Sequence, residues 1–365
     1  MKIKILHGMS DIAGQGSYSV TGLRSIGENA TIAVWAKNPF GYPVDIDLHI
    51  DRVKIHHVLY AICASFKMFG FACKASIKYN VFHFHFNHSL VPFGLDLPFL
   101  KILKKKIIME FHGADIRYAY LREEPKYMPY EELPNFRGRE KRSIARTLKY
   151  ADEIITHDEE LKRHIPHEKL FIVPLRMNVN RFEPVFPVEE KEKICIVHAP
   201  SDYISKGSKY VITAIEKLKD KYDIDFILVE KKTQQEAFEI YKKADIIVDQ
   251  LFAQTYGVFA IEAMSMGKPV VGWITDEIRA TFPKTMPIVS ATIENIADVL
   301  EYLIKDGKKR RELGIAGRKY VEEYHDYRKI AQVLLDIYTE KIEPMNTLDS
   351  FEYAKLKKVD NICVE

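Results

Sequence analysis

The sequence predicts an α/β protein built from two doubly wound parallel sheets, and three observations lead to this. Short apolar runs with strand character alternate with helical stretches along the 365-residue chain, a pattern typical of parallel sheets. The polar segment 182–193 contains two prolines and a run of charges, and it separates the apolar runs into two groups of similar plan. The length is sufficient for two domains with separate cores.

The individual elements follow in order along the chain. In the first half the strands are expected at Ile3–Leu6, Thr31–Trp35, Val81–Phe86, Ile107–Phe111, Ile154–Thr156 and Leu170–Val173. In the second half they are expected at Ile194–Val197, Phe226–Val229, Ile246–Val248, Val270–Ile274 and Ile288–Val289. Helices are expected between them, among them Val53–Lys78, Arg139–Tyr150, Lys209–Lys221 and Gln234–Lys243. No pattern is evident after Glu343.

Composition excludes several classes of protein. With 47% hydrophobic and 29% charged residues the chain is not of a disordered type. A net charge of +3 is too small to indicate a nucleic-acid partner. No run of 18 apolar residues is present, and the four cysteines lack metal-type spacing. We therefore expect a cytoplasmic protein with reduced thiols.

The segment from Gln254 to Val271 carries the strongest functional signal. It predicts a loop, an apolar helix, a stop at Gly267 and a buried strand. The free N–H groups of Tyr256, Gly257 and Val258 would face an anion at the start of the helix. Farther along the helix, Glu262 lies among apolar residues, where an unpartnered carboxylate is costly. An anion site beside a carboxylate is what a nucleoside diphosphate requires, since its ribose presents a diol.

This segment resembles the donor site of the retaining family-4 glycosyltransferases, which have the GT-B fold. Their motif is a glutamate, a glycine three residues later, a second glutamate after seven intervening residues, and Ala-Met-x-x-Gly-x-Pro-Val. The positions that match are Gly257, Glu262, Ala263, Met264, Gly267, Pro269 and Val270. The resemblance assigns Glu262 to the ribose. Gln254 stands where the family has the glutamate beside the donor sugar, and its amide can hydrogen-bond hydroxyls but carries no charge.

Two further loops resemble parts of the same site. Lys206-Gly207 matches the Lys-Gly pair that neutralises the diphosphate in the family, but no arginine precedes it. Helix N-termini or Arg176 could supply the missing charge. Gly14 and Gly16 follow the first strand, where the family has a glycine-rich loop facing the phosphates; a plain turn is the alternative. Ser19 occupies the place of the third glycine of a dinucleotide fingerprint, which argues against NAD.

Histidines recur where strands of the first half end, at His7, His85, His88, His112 and His157. The segment Glu110–Arg117 resembles the family's His-Gly-x-Asp, which places His112 beside the donor sugar. We expect His85, His88 and Asp115 on the acceptor side, although Asp115 and Arg117 could instead orient their own loop. His83 and His85 could bind a metal, but packed or hydrogen-bonded strand histidines are the better expectation, and no metal is predicted.

The helix Val53–Lys78 and the turn Lys101–Lys106 combine apolar residues with lysines. They could hold the protein at the inner face of an anionic membrane, as in many family-4 enzymes that use lipid-linked acceptors. An ordinary core helix with a lysine face is the expectation that we favour.

The resulting prediction is a metal-independent retaining glycosyltransferase with two Rossmann-like domains facing a cleft. Residues 1–185, completed by helices from about 328 to 365, form the acceptor-side domain, and residues 186–327 bind the nucleotide sugar. The donor is of UDP type rather than GDP type, no cofactor is needed, and the hydroxyl acceptor belongs to polysaccharide or glycolipid synthesis. A nucleotide-binding partner subunit without strong activity is the alternative, and a GT-B epimerase or phosphorylase fits the motif less well.

Overall fold

The computed structural model describes residues 3–38, 40–50, 54, 57–117 and 138–358. The chain forms two compact units. The first contains the described residues up to Arg176 and those from Tyr327 onwards, and the second contains Met177–Asp326. Each unit is built on its own parallel sheet, as the alternation of apolar runs predicts. The segment 182–193 lies within the second unit.

The first unit has a seven-stranded sheet in the order β3-β2-β1-β4-β5-β6-β7. Its strands are β1 (Lys4–Gly8), β2 (Asn29–Val34), β3 (Ile46–Asp47), β4 (Val81–His85), β5 (Lys106–Glu110), β6 (Glu153–Thr156) and β7 (Leu170–Ile172). All neighbours pair in parallel, and β1 lies between β2 and β4. The sheet order therefore reverses next to β1, the position at which open α/β sheets form crevices beyond their strand ends.

Helices cover both faces of this sheet. They are α1 (Gln15–Ser25), α2 (Val58–Lys78), α3 (Leu97–Ile102), α4 (Gly138–Tyr150), α5 (Glu159–Lys162), α12 (Tyr327–Tyr338) and α13 (Thr347–Lys355). One apolar core lies under α2, α3 and α4, and a second lies between the sheet and α1, α12 and α13. The chain thus returns to its first unit after completing the second. Helix α13 lies in the range of about 328 to 365 for which helices are expected from the resemblance, although its buried apolar residues Phe351 and Ala354 are too few to produce a strong local pattern.

The second unit has a five-stranded sheet in the order β12-β11-β10-β8-β9. Its elements are β8 (Ile194–His198), α6 (Ser208–Lys219), β9 (Ile224–Leu228), α7 (Gln234–Lys243), β10 (Ile246–Val248), α8 (Val258–Ser265), β11 (Val270–Gly272), α9 (Asp276–Arg279), β12 (Val289–Ser290), α10 (Ile296–Lys305) and α11 (Gly307–Tyr324). The central strands β8, β10 and β11 are buried throughout, which explains why they form continuous apolar runs in the sequence.

The predicted helix 53–78 begins at Val58 in the structure, and residues 53, 55 and 56 lie outside the described part of the chain. Its expected role as an ordinary core helix is wrong. Only Ala64, Met68, Ala75 and Ser76 are buried, while large apolar side chains such as Phe66 and Phe69 are exposed. Of the cysteines, Cys63 and Cys73 are exposed free thiols and Cys195 is a buried one; Cys363 lies outside the described residues.

Candidate active site

Helix α8 of the second unit holds the strongest sequence motif, and glycines stand at both of its ends. Gly267 follows the helix with φ of 75°, and a Cβ there would lie 2.7 Å from the ring of Phe186. This position therefore requires glycine. Gly257 precedes the helix with an ordinary φ of −114°, and nothing lies within 4 Å of the place where its Cβ would be. The fold does not require this glycine, so its smallness leaves open space at the helix N-terminus.

Glu262 lies in the second turn of α8 and is half-buried. Its carboxylate has no hydrogen-bond or ion-pair partner in the part of the chain that the structure describes. Burial raises the pKa of Glu262 to about 8, and only the charge of Arg181 acts in the opposite direction. A ligand that donates hydrogen bonds to the carboxylate would offset this desolvation. The predicted contact of Glu262 with a ribose diol stays a prediction.

Lys206 lies beside the end of β10, and its predicted contact with a diphosphate stays a prediction. Its Nζ donates to Oε1 of Gln250 at 2.5 Å and lies 3.7 Å from Oδ1 of Asp249. The Gln250 amide in turn donates to the carbonyl of Thr255. The other carboxylate oxygen of Asp249 accepts from the N–H of Gly257 at 3.4 Å. Asp249 therefore links the lysine to the start of α8, and a bound diphosphate would compete with it for both groups.

The remaining predicted residues of this loop differ in what they offer. The hydroxyl of Tyr256 lies 3.0 Å from that of Tyr320 and 3.1 Å from Nε2 of His325, so its side chain points into a buried cluster. Only its backbone can serve the predicted anion site. Gln254 is half-buried and has φ of 56°. A left-handed glutamine is uncommon, and such strain is often retained where a side chain has a function.

The strand ends of the first unit bring the predicted histidines together. His7, His85, His112 and His157 lie at or just beyond the carboxyl ends of four different strands. They form one row, which is joined by His83, Glu110, Arg176 and Tyr338. We call these eight residues the histidine cluster. Of its members only His112 is more than marginally exposed to solvent. The expectation that strand histidines are packed and hydrogen-bonded is confirmed.

The contacts within the histidine cluster rule out the roles predicted for His85 and Arg176. Both nitrogens of His85 are engaged, by His7 at 3.1 Å and by His112 at 3.1 Å, and its side chain is completely enclosed. It cannot contact an acceptor directly. Arg176 is also completely buried and pairs with Glu110 at 2.6 Å. The suggestion that Arg176 supplies the missing diphosphate charge is therefore wrong.

The segment after β5 is held by its own side chains. The carboxylate of Asp115 accepts from the N–H groups of His112 and Gly113 at 3.0 and 2.8 Å. Burial raises the pKa of Asp115 to about 7, although these bonds lower it. Arg117 makes a bidentate ion pair with Glu160, at 2.9 and 2.7 Å. Of the two roles left open by the sequence, orientation of the loop is the one that these contacts support.

A cavity of about 260 Å³ lies beside this loop. Asp115 and His88 both line it, together with aromatic residues that include Trp35 and Phe93. Nδ1 of His88 is 2.7 Å from the hydroxyl of Ser10, which fixes the ring against Trp35. Two of the three predicted acceptor-side residues thus share one pocket, and its lining is mostly apolar.

Gly14 and Gly16 both have packing reasons to be glycine. Gly14 has φ of 75°, and a Cβ would lie 2.5 Å from the ring of Tyr42. The N–H of Gly16 donates to Asp11 at 2.9 Å, and a Cβ would lie 2.9 Å from Ile32. The predicted contact of these glycines with phosphate stays a prediction.

Local pattern did not predict that Glu110, Arg176 and Tyr338 belong to the histidine cluster. Glu110, Arg176 and Tyr338 come from β5, the end of the first-unit chain before Met177, and α12. A glutamate at the end of a fully buried strand was the available signal, because such a carboxylate must find a cation. Neither the identity of that cation nor the return of α12 to the first sheet can be derived from local pattern.

Comparison with known proteins bears on the fold. Residues 213–336, which include α8, match the family model described as glycosyl transferase-like. No curated protein matches the chain. Sucrose-phosphate synthase from Thermosynechococcus elongatus superimposes with a TM-score of 0.65 at 16% identity, covering 93% of this chain and 99% of that one.

The chain has the GT-B fold. HepE of Anabaena, in a complex with UDP and glucose, is similar with a TM-score of 0.61 at 11% identity, covering 92% of this chain and 99% of HepE. A putative UDP-N-acetylglucosamine 2-epimerase from Listeria monocytogenes also superimposes, with a TM-score of 0.56 at 14% identity over 95% and 99% of the two chains. The fold alone therefore does not identify the reaction, which depends on the residues of the site.

Proposed function

We propose that this protein is a retaining glycosyltransferase that transfers a sugar from a nucleoside-diphosphate sugar to a hydroxyl acceptor. The observation that carries the proposal is the unpartnered carboxylate of Glu262 close to the open N-terminus of α8. The helix N-terminus suits a diphosphate, and the carboxylate suits the ribose diol. The match of residues 213–336 to a glycosyl transferase-like family supports transfer over epimerisation.

In the proposed complex the second unit binds the donor. Lys206 exchanges its contacts with Gln250 and Asp249 for phosphate oxygens, and the N–H groups at the start of α8 add donors. These groups stabilise the charge that develops on the diphosphate as the glycosidic bond breaks. The acceptor hydroxyl then attacks from the face that the diphosphate leaves, which retains the anomeric configuration. A UDP-type donor is proposed, and no residue of this scheme requires a metal.

Calorimetric titration with UDP, GDP, ADP and CMP in the absence of metal tests the donor site. We expect selective binding of one nucleoside diphosphate. Glu262→Ala should weaken it by about 2 kcal/mol, roughly thirty-fold, through loss of charge-assisted bonds. Glu262→Gln is the matched control, since its amide retains hydrogen bonding without charge and should lose less. Unchanged affinity in a folded Glu262→Ala variant would remove the ribose role.

Activity measurements distinguish the transferase from a nucleotide-binding partner subunit. The specific observation that favours the partner subunit is Gln254, which stands in place of an acid. After the base has been identified, hydrolysis and transfer of the corresponding nucleotide sugars are measured. Release of nucleoside diphosphate with the anomeric configuration retained supports the transferase. Tight binding with no turnover of any donor indicates the partner subunit, and epimerised donor indicates the third possibility.

The acceptor is proposed to be lipid-linked, because α2 exposes a broad apolar face. Val58, Leu59, Ile62, Phe66, Phe69 and Ile77 are all exposed, and their spacing places them along one side of the helix. Exposed lysines at 67, 74 and 78 accompany this face. The helix is long and apolar enough to cross a membrane, but only 17% of its most apolar window is buried in the protein. The lysines on an otherwise apolar helix favour contact with an anionic membrane surface.

Cosedimentation with vesicles tests this surface. Vesicles with an anionic lipid should bind the protein, and neutral vesicles should bind it less. Replacing Phe66 and Phe69 together by serine should reduce binding to both, because apolar burial is lost. Donor binding by the same variant is the control, since it should not change. Equal recovery of the wild type and the variant with vesicles would contradict a membrane role for α2.

A further inference from the structure

The histidine cluster contains an unbroken row of polar contacts between two hydrogen-bond acceptors. One end is the carbonyl of Val173, 3.2 Å from Nδ1 of His157. The other end is Oε2 of Glu110, 3.0 Å from Nε2 of His83. Between them the contacts run from His157 to His112, His85, His7, the hydroxyl of Tyr338 and His83, with separations of 3.2, 3.1, 3.1, 3.1 and 2.6 Å.

The carbonyl at the first end determines the tautomer of every histidine in the row. A carbonyl can only accept, so Nδ1 of His157 must donate, which leaves Nε2 of a neutral His157 as an acceptor. Nδ1 of His112 must then carry its proton, and the same argument fixes the proton on Nδ1 of His85 and of His7. The Tyr338 hydroxyl donates to His7 and accepts from Nδ1 of His83. Nε2 of a neutral His83 is left without a proton.

That nitrogen faces the Glu110 carboxylate, which is also an acceptor. The row has seven contacts, whereas five neutral histidines and one tyrosine supply six protons. Nε2 of His83 makes no hydrogen bond in the structure although it lies 3.0 Å from Oε2 of Glu110, and the atom is buried. Two acceptors 3.0 Å apart repel each other, and a buried polar atom without a partner is costly.

We infer that the histidine cluster binds one proton beyond those of its neutral side chains. With this proton every contact of the row has a donor and an acceptor. The positive charge can reside on any of the five histidines, because shifting each proton across its contact converts one arrangement into the next. The cluster then holds two positive charges, the imidazolium and Arg176, beside the single negative charge of Glu110. His112 is the partly exposed member, so protons can enter and leave the cluster through it.

A metal ion is the competing occupant, because ligand atoms of His7, His83 and His85 lie within 4.8 Å of one another, as do those of His85, Glu110 and His112. The ring planes disfavour the first set. His83 and His85 are stacked with an interplanar angle of 7° and centroids 4.7 Å apart, so their in-plane lone pairs do not converge on one point. In the second set Nδ1 of His85 and Nε2 of His112 lie 3.1 Å apart and share a hydrogen bond, so they do not both present lone pairs to an ion.

Charged neighbours act on the cluster in both directions. Burial lowers the pKa of all five histidines, and the Glu110 carboxylate opposes this. Arg176 lowers the pKa of several histidines of the cluster and also that of Asp11. Glu153 raises the pKa of Tyr338. Because these groups differ in sign, the proton count has to be measured against a variant that leaves them all in place.

Tyr338→Phe is that variant. Without the hydroxyl the contacts to His7 and His83 are lost, and His83 can carry its proton on Nε2 towards Glu110. The five remaining contacts are then satisfied by five neutral histidines, so the extra proton is no longer required. Glu110→Gln is a second variant, because its amide can donate to Nε2 of His83 and satisfy the row without an additional proton.

Nitrogen NMR of histidine-labelled protein at pH 8 counts the protonated nitrogens, since ordinary histidines with a pKa near 6.5 are then neutral. For the five cluster histidines we expect six N–H protons in the wild type and five in Tyr338→Phe. If the wild type has five, with Nε2 of His83 bare, the inference is wrong. A chelator that changes the wild-type spectrum by removing a bound metal would overturn it as well. If Tyr338→Phe does not fold, a count of five in Glu110→Gln provides the same comparison.

Discussion

Glu110 and Arg176 form an ion pair of 2.6 Å in which both side chains are completely buried. The guanidinium also donates from Nε to the carbonyl of Gln15, and the Gln15 side chain closes on the backbone N–H and carbonyl of Arg176. Burial would raise the pKa of Glu110, but Arg176 and the neighbouring histidines hold it well below its usual range. The pair therefore ties the end of β5 to the chain after β7 and to α1.

Removing one partner of this pair should be strongly destabilising. Arg176→Met leaves the Glu110 carboxylate buried without its cation, and we expect a loss of about 3–5 kcal/mol in the free energy of unfolding. Urea unfolding followed by circular dichroism measures it. The double variant Arg176→Met with Glu110→Gln should recover part of the loss, since no unpaired charge remains. A double variant no more stable than Arg176→Met would show that the pair acts through packing alone.

The sequence predicted much of this arrangement, and the limits have physical reasons. Strand ends of a parallel sheet share one edge, so histidines following separate strands could be expected to meet there. The contact of His83 with Tyr338 was not predicted, because alternation along β4 cannot show which face is covered by α12. The suggestion that Arg176 supplies the diphosphate charge was wrong for a related reason. Its position after a strand was visible, but its partner Glu110 lies 66 residues earlier and no local pattern connects them.

Substitutions at the two glycines that flank α8 should affect different properties, stability at Gly267 and nucleotide binding at Gly257. Gly267→Ala places a Cβ 2.7 Å from Phe186 at a positive φ, so we expect a loss of about 1–3 kcal/mol in stability. Gly257→Ala has an ordinary φ and open space around the new methyl group, so stability should change by less than about 0.5 kcal/mol. The same methyl group should obstruct a diphosphate. Chemical unfolding and nucleotide titration of both variants test this, and a Gly257→Ala variant with wild-type affinity would place the diphosphate elsewhere.

The loop after β5 should depend on Asp115 through hydrogen bonding rather than charge. Oδ1 accepts from both His112 and Gly113, and an asparagine oxygen can accept the same bonds. Asp115→Asn should therefore retain stability at pH 6, whereas Asp115→Ala should lose about 1–3 kcal/mol by leaving two N–H groups unpaired. Equal destabilisation by the two substitutions in urea unfolding would instead indicate that the negative charge is needed.

The pH dependence of stability should reveal the unpartnered carboxyl of Glu262. Its pKa of about 8 in the folded protein lies above the ordinary value of 4.5, so the folded state holds a proton that the unfolded state releases. This contribution is fully present below pH 4.5 and is lost as pH rises towards 8. Glu262→Gln cannot ionise and should not show this loss. Allowing for partial solvent screening of a half-buried group, we expect the variant to be more stable than the wild type by about 1–2 kcal/mol at pH 8 and nearly equal at pH 4.5.

Gln254 is the position at which this site departs from the pattern that it resembles, and Gln254→Glu tests what the departure means. Donor binding should survive, because nucleotide contacts are made by Lys206, the start of α8 and Glu262. Turnover should rise if a charge beside the donor sugar stabilises the cation that develops during transfer. Steady-state kinetics separates the two effects, since a higher kcat with unchanged KM indicates stabilisation of the transition state alone. Gln254→Met has a similar volume without hydrogen-bonding capacity and serves as the control. Loss of nucleotide binding in Gln254→Glu would mean that the amide lies next to phosphate, where a carboxylate would be repelled, and would assign Gln254 to the diphosphate instead of the sugar.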